Sequence, residues 1–179
     1  MVLLSEDRGA VRVLTLNRPE VRNALSTELF EALFAALADV GDSVRAVVLT
    51  GADPAFCAGV DLKQAQHLGM DYFARFDKMN CTNAVVALRQ PVIGAINGAT
   101  FTGGLELALA CDFLIASERA VFADTHARVG ILPGGGMTAR LPRLVGSGMA
   151  RRLAMTGEVV DAVRAERIGL VTEVVAHER

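Results

Sequence analysis

Short apolar runs, each closed by a turn and followed by helical spacing, recur along this chain and restrict its fold more than any other feature. Val11–Leu16 (VRVLTL) is rich in β-branched residues and ends at the turn signal Asn17-Arg18-Pro19. Ser26–Val40 begins with a capping serine and carries Leu29, Phe30, Leu33, Phe34 and Leu37 at helical spacing. Arg45–Thr50 (RAVVLT) is a short strand stopped by Gly51. The pattern returns with strands at Val92–Ile96, Asp112–Ala116 and Ala120–Ala123, and with a helix that follows Asn97-Gly98. Helices over Met137–Leu144 and Asp161–Ile168 and a strand over Val171–Val175 complete it. Such alternation predicts an α/β architecture. It leaves open a doubly wound sheet or a spiral of stacked strand–helix units. With 179 residues, 52% of them hydrophobic, the chain is expected to form one domain, residues 1–179, around a sizeable core.

Charge and composition remove several function classes. A net charge of −2 without a basic run argues against a nucleic-acid partner. Aromatic residues make up 5% of the chain, with one Tyr and no Trp, which weakens any reading built on stacking bases or sugars. The three cysteines, Cys57, Cys81 and Cys111, are odd in number and far apart. They form neither a disulfide framework nor a CxxC metal site and read as buried thiols in a reducing compartment. No apolar run reaches the roughly 18–20 residues that span a membrane. The N-terminus becomes charged after MVLL and lacks a signal-peptide core. The expectation is a soluble cytoplasmic protein without a membrane partner. Segment 64–72, with His67, reads as mobile, and Met70, Tyr72, Phe73, Phe76 and Met79 read as an apolar stripe that belongs to the core or to the wall of a binding pocket.

Two stretches carry chemistry. In FCAGVDL (Phe56–Leu62) the small pair Ala58-Gly59 lets the backbone approach another molecule closely. In Thr102-Gly103-Gly104 a strand gives way to a helix, whose first N–H groups lack internal partners and favour a developing negative charge. Neither the GxxxxGK[ST] phosphate loop nor a GxGxxG after the first strand is present. Glu106 follows Gly103 by one helical turn among Leu105, Leu107, Ala108, Leu109 and Ala110. A buried carboxylate in such surroundings is costly unless partnered, which makes Glu106 either a candidate for catalysis or a helix-start carboxylate stabilised by the dipole or left exposed.

The ordered stretches AFCAGVDL (Ala55–Leu62), PVIGAINGATFTGGLELALACDFLIAS (Pro91–Ser117) and FADTHARVGILPGGG (Phe122–Gly136) resemble the enoyl-CoA hydratase/isomerase, or crotonase, family. LNRPEVRNALS (Leu16–Ser26) and MTGEVVDAVRAERIGLVTEVV (Met155–Val175) extend the resemblance over nearly the whole chain. It implies a crotonase-like spiral of ββα units that binds an acyl-CoA thioester. It also implies a truncated C-terminal helical region, since relatives continue past the equivalent of Val175 and this sequence stops at Arg179.

The resemblance further implies an oxyanion hole made by the backbone N–H groups of Val60 and Gly103, and a catalytic role for Glu106. Such donors meet the charge that grows on the thioester oxygen as an enolate forms. Hydratases of the family carry a second glutamate, and His126 stands at its position. Three roles remain open for it: replacing that glutamate, tuning Glu106, or shaping the pocket. Asp124 is a weaker candidate for the same work. Thr102 stands where the family commonly has glycine. Arg22, Ala24, Ala58, Asp61, Leu62 and Lys63 match positions that border coenzyme A, with Arg18 beside them. Arg140 and Arg143 read as structural or interface charges. Family chemistry implies no metal and no cofactor apart from the coenzyme A of the substrate. It implies a homotrimer or a dimer of trimers, and hydration of an enoyl-CoA, with double-bond isomerisation or thioester binding without turnover as alternatives.

Overall fold

The computed structural model describes residues 1–178. Strand β1 (Leu3–Arg8) forms an antiparallel hairpin with β2 (Val11–Leu16), and helix α1 (Thr27–Ala38) leads to β3 (Ala46–Gly51), parallel to β2. Three turns of a spiral follow. In the first, β3 continues into β4 (Ala55–Cys57) and then helices α2 (Leu62–Leu68), α3 (Met70–Lys78) and α4 (Cys81–Ala87). In the second, β5 (Val92–Ile96) leads to β6 (Ala99–Phe101) and α5 (Gly103–Ala108). The third contains β7 (Phe113–Ser117), β8 (Val121–Ala123) and helices α6 (His126–Val129), α7 (Met137–Val145) and α8 (Ser147–Thr156). Strand β9 (Val160–Asp161), helix α9 (Ala162–Arg167) and β10 (Glu173–Val175) close the chain's path.

The first strand of each turn enters a six-stranded sheet in the order β1-β2-β3-β5-β7-β10, and the second enters a four-stranded sheet, β4-β6-β8-β9. Within β3 and β5, burial alternates residue by residue, so Val47, Leu49, Val92 and Ile96 enter the core while Val48, Thr50 and Ala95 are half-buried. Leu29, Phe30, Leu33 and Leu37 of α1 bury one stripe against this core. The Ser26 hydroxyl accepts from Leu29 N at 3.2 Å and caps the helix as its sequence predicts. A polar tie joins the carboxyl ends of the large sheet's strands. His177 bridges Ser117 Oγ at 2.9 Å and Asp53 Oδ2 at 3.1 Å, and Asn97 donates to Asp53 at 2.9 Å. No helix of the described residues is long and apolar enough to cross a membrane.

Several local expectations change. The chain does not pass from Asn97-Gly98 directly into a helix, because the three-residue strand β6 intervenes. Strands of three residues, β4 and β6, show no period that a sequence reading can detect. Strand β1 escapes notice because only Leu3 of its residues is buried. Segment 64–72 is not an irregular mobile stretch: it belongs to α2 and α3, which break at Gly69 with φ +57°. Its apolar stripe divides. Tyr72 is buried and Phe73, Phe76 and Met79 pack on the core, whereas Met70 is exposed.

Candidate functional site

The small sheet lines up three chain breaks. Strands β4, β6 and β8 run parallel, and beyond their carboxyl ends lie Ala58–Asp61, Thr102–Gly104 and Asp124–His126. The first two breaks close on one another. A Cβ placed on Gly59, whose φ is +97°, would lie 2.9 Å from the Phe101 carbonyl oxygen and 3.2 Å from Gly103 N. One placed on Gly103 would lie 3.7 Å from Val60 N. The amides of Val60 and Gly103 are therefore neighbours, and neither donates a hydrogen bond among the described residues. A helix start explains the free amide of Gly103. At Val60 the pairing of 22–25 with 58–61 uses the flanking groups instead: Leu25 N donates to Gly59 O at 2.7 Å, and Asp61 N to Leu25 O at 3.1 Å.

Helix α5 sits tightly on β4, since a Cβ on Gly104 would come within 2.1 Å of the Cys57 carbonyl oxygen. Thr102 precedes it at φ +52°, a conformation costly for a β-branched residue. Its amide donates to Ala123 O at 3.0 Å, and its hydroxyl meets that of Thr125 at 2.5 Å. These bonds attach the start of α5 to the start of α6.

Glu106 lies in the first turn of α5 and is 3% exposed. Its Oε1 accepts from Gly135 N at 2.8 Å and from Met137 N at 3.0 Å. The carboxylate is thus held by two backbone donors, which offsets the cost of burial. Gly135 is needed for this approach, as a Cβ there would lie 2.8 Å from Oε2. Arg140 donates to the Gly135 carbonyl and fixes the loop from the other side, so its structural reading stands. Oε2 faces His126 Nε2 at 3.6 Å, beyond hydrogen-bond range. Asp124 Oδ1 lies 2.7 Å from His126 Nδ1 and accepts from the His126 amide at 3.2 Å. Asp124 and His126 are both buried. Burial opposes charge on the imidazole, but the hydrogen bond to Asp124 and the nearby Glu106 carboxylate outweigh it and raise the His126 pKa to about 9.

That shift fixes the sign of a stability effect. The folded-state pKa of about 9 exceeds the ordinary 6.5, so the folded chain holds the proton more tightly than the unfolded one. The stabilisation is complete below pH 6.5 and is lost as pH rises through 9. Denaturant titrations between pH 6 and 10 should show unfolding free energy falling by up to about 3 kcal/mol from this group. In His126→Gln that portion of the fall should vanish. An unchanged slope in the variant contradicts the assignment.

Val60, Gly103, Glu106 and His126 line one cavity of about 70 Å³, with Leu25, Tyr72, Phe73 and Phe76 among its walls. The Tyr72 hydroxyl donates to the Leu25 carbonyl, which steadies the segment paired with Val60. Outside this cavity the structure brings together all six positions expected to border coenzyme A. Ala58 N donates to Arg22 O at 2.9 Å, and Arg18 Nη1 reaches Ala24 O at 2.6 Å and Asp61 Oδ2 at 3.0 Å. The Asp61 side chain is committed to this ion pair and to capping α2 through Gln64 N at 3.2 Å. Arg22, Leu62 and Lys63 are exposed along the rim. Sequence reasoning missed the Gly135 and Met137 amides that hold Glu106 and the part played by Tyr72. The three glycines before α7 were visible, but nothing in their spacing shows a loop folding back onto a residue 29 positions earlier.

The family model for enoyl-CoA hydratase/isomerase matches residues 6–179. A probable enoyl-CoA hydratase of Rhizobium meliloti is 44% identical over 99% of this chain, which spans 70% of that relative. The mitochondrial enoyl-CoA hydratase of Pongo abelii is 39% identical over 96% of this chain and 61% of its own length. Among solved structures, an enoyl-CoA hydratase from Mycobacterium avium superposes with a TM-score of 0.87 at 54% identity, covering 99% of this chain and 75% of the other. One from Bacillus anthracis gives 0.95 at 40% identity, with 99% and 71% covered. The spiral of ββα units is thus the crotonase fold. In sequence and in fold the chain belongs to the enoyl-CoA hydratase/isomerase family.

Proposed function

We propose that this protein is an enoyl-CoA hydratase, adding water across the 2,3 double bond of a trans-2-enoyl-CoA. One observation carries the reading: two unpaired backbone amides, a buried glutamate and a histidine share one cavity. The thioester oxygen sits between Val60 N–H and Gly103 N–H, whose attraction grows as the bond polarises. Glu106, its Oε1 engaged by backbone donors, presents Oε2 to a water that attacks the β-carbon. His126, across the cavity, handles the proton at the α-carbon. The coenzyme A portion follows the rim of Arg22, Ala24, Ala58, Asp61, Leu62 and Lys63. No separate cofactor takes part, because coenzyme A belongs to the substrate. The charged N-terminus supports a cytoplasmic location, and family likeness supports a homotrimer or a dimer of trimers.

Loss of the conjugated-thioester absorbance of crotonyl-CoA on adding the protein tests the reading. A second reading rests on Glu106 being paired with His126 rather than with a second glutamate. One base is enough to shuttle a proton along an acyl chain, as a Δ3-Δ2 isomerase does. Conversion of a 3-enoyl-CoA to the conjugated isomer without hydration selects it. Calorimetric binding of an acyl-CoA with no turnover of either substrate selects a thioester-binding subunit.

A further inference from the structure

The cavity has two proton-handling groups of unlike kind, and their surroundings decide which way each can work. Both nitrogens of the His126 ring face carboxylates: Asp124 Oδ1 at 2.7 Å from Nδ1 and Glu106 Oε2 at 3.6 Å from Nε2. A neutral imidazole donates from one nitrogen and accepts at the other, whereas an imidazolium donates from both. A carboxylate beside each nitrogen, one hydrogen-bonded and one in ion-pair range, stabilises the charged form of the ring. The wider surroundings do not reverse this. Asp77 of α3 adds a third carboxylate on the cavity wall. Cys81 at the start of α4 is a buried thiol pushed up to about 12, and carries no charge at neutral pH. Arg140 of α7 is turned to the Gly135 carbonyl, and Arg151 of α8 lies across a separate cavity on the far side of Asp124.

We propose that His126 serves this site as an imidazolium, a proton donor held in place and in charge by Asp124, and that Glu106 is the base that takes the proton from water. The inference rests on the hydratase reading and divides its labour. The proton balance closes without any other participant. Glu106 Oε2 takes a proton from water as the water oxygen bonds to the β-carbon. The π electrons move toward the α-carbon and the thioester oxygen, held by the amides of Val60 and Gly103. His126 Nε2 then gives its proton to the α-carbon, and the proton on Glu106 passes to Nε2 to restore the starting state. Asp124 is not among the residues that line this cavity. It is a positioning residue: its Oδ1 receives both the ring Nδ1–H and the backbone N–H of His126, which fixes the ring and leaves Nε2 aimed into the cavity.

Asp124→Asn tests the inference, since it keeps the side-chain shape and removes the charge. Wild-type kcat/KM for crotonyl-CoA should stay level through neutral pH and fall near pH 9, where the ring loses its proton. In the variant this alkaline limb should move toward or below 6.5, so that its activity relative to wild type is at least tenfold lower at pH 8 than at pH 5.5. A loss of equal size at every pH means a merely structural role and overturns the proposal. Imidazole titration by NMR gives a reading independent of turnover and of the variant's folding. In the wild-type chain the His126 signal, assigned by its absence in His126→Gln, should show both ring nitrogens protonated through pH 8. A neutral ring at pH 7 overturns the inference even if the protein hydrates crotonyl-CoA. A charged ring in a protein with no hydratase activity supports the ring assignment and overturns the functional reading alone.

Discussion

Glu106→Gln should lower the rate of crotonyl-CoA hydration by about 10²–10⁴-fold, the usual worth of a positioned general base. The substitution is chosen for what it preserves. Gln keeps an oxygen at the position of Oε1, so the donors Gly135 N and Met137 N remain satisfied and the loop before α7 stays on the helix. What changes is the other atom. An amide nitrogen replaces Oε2, takes no proton from water, and turns a donor toward His126 Nε2. KM should move less than kcat, because the thioester is held by backbone amides elsewhere. Glu106→Ala should behave differently: it leaves two buried N–H groups without an acceptor and should also reduce stability. A Glu106→Gln protein that hydrates crotonyl-CoA at the wild-type rate excludes this carboxylate as the base and, with it, the proposed chemistry.

Removing one oxyanion donor should cost nearly as much. An amide-to-ester replacement at Val60 deletes the N–H and leaves the valine side chain in place. That N–H donates to nothing among the described residues, so the exchange removes no donor in use, and its structural cost is the weaker bond from Leu25 N to the Gly59 carbonyl, now an ester. The expected fall in kcat is about 10²–10³-fold, corresponding to roughly 3–4 kcal/mol in the barrier. Binding of a saturated acyl-CoA should weaken far less, since its carbonyl carries only ground-state charge. Equal losses in binding and in kcat would remove Val60 from the transition state. Substituting the side chain alone, as in Val60→Ala, should leave the rate within a few-fold of wild type, which separates the backbone group from the residue.

The comparison of sequence with structure follows from the range of each signal. Strands β2, β3 and β5 and helix α1 were legible because a run of five or more residues shows a period. The free amide at Gly103 was legible too, as any helix start leaves donors unused. Val60 was reachable only through the resemblance, because a loop amide is free or engaged according to its partner strand, and that partner is Leu25, far back in the chain. Glu106 stood out by its apolar neighbours, but its partners came from the loop at Gly135 and the start of α7, which no local pattern joins to it. Asp124 stands two residues from His126 and looked like a lesser alternative to it. The structure makes it the partner instead, because a short turn brings the carboxylate back onto the ring of the residue it precedes.

The proposed site is spread over the three turns of the spiral: Val60 from the first, Gly103 and Glu106 from the second, Asp124 and His126 from the third. None of these turns contains a usable fragment of it. Full activity therefore requires all three turns to dock, since the amide pair requires β4 beside β6 and the proton pair requires α5 beside α6. Recovery of activity after denaturation is then a clock for the last of these dockings, whatever the order in which the strands pair. Loop changes are filtered in the same way. An insertion between Cys57 and Val60 is tolerated only if it leaves the backbone of Gly59 against Phe101 and Gly103, so variation is directed to the rim and away from the joints between turns.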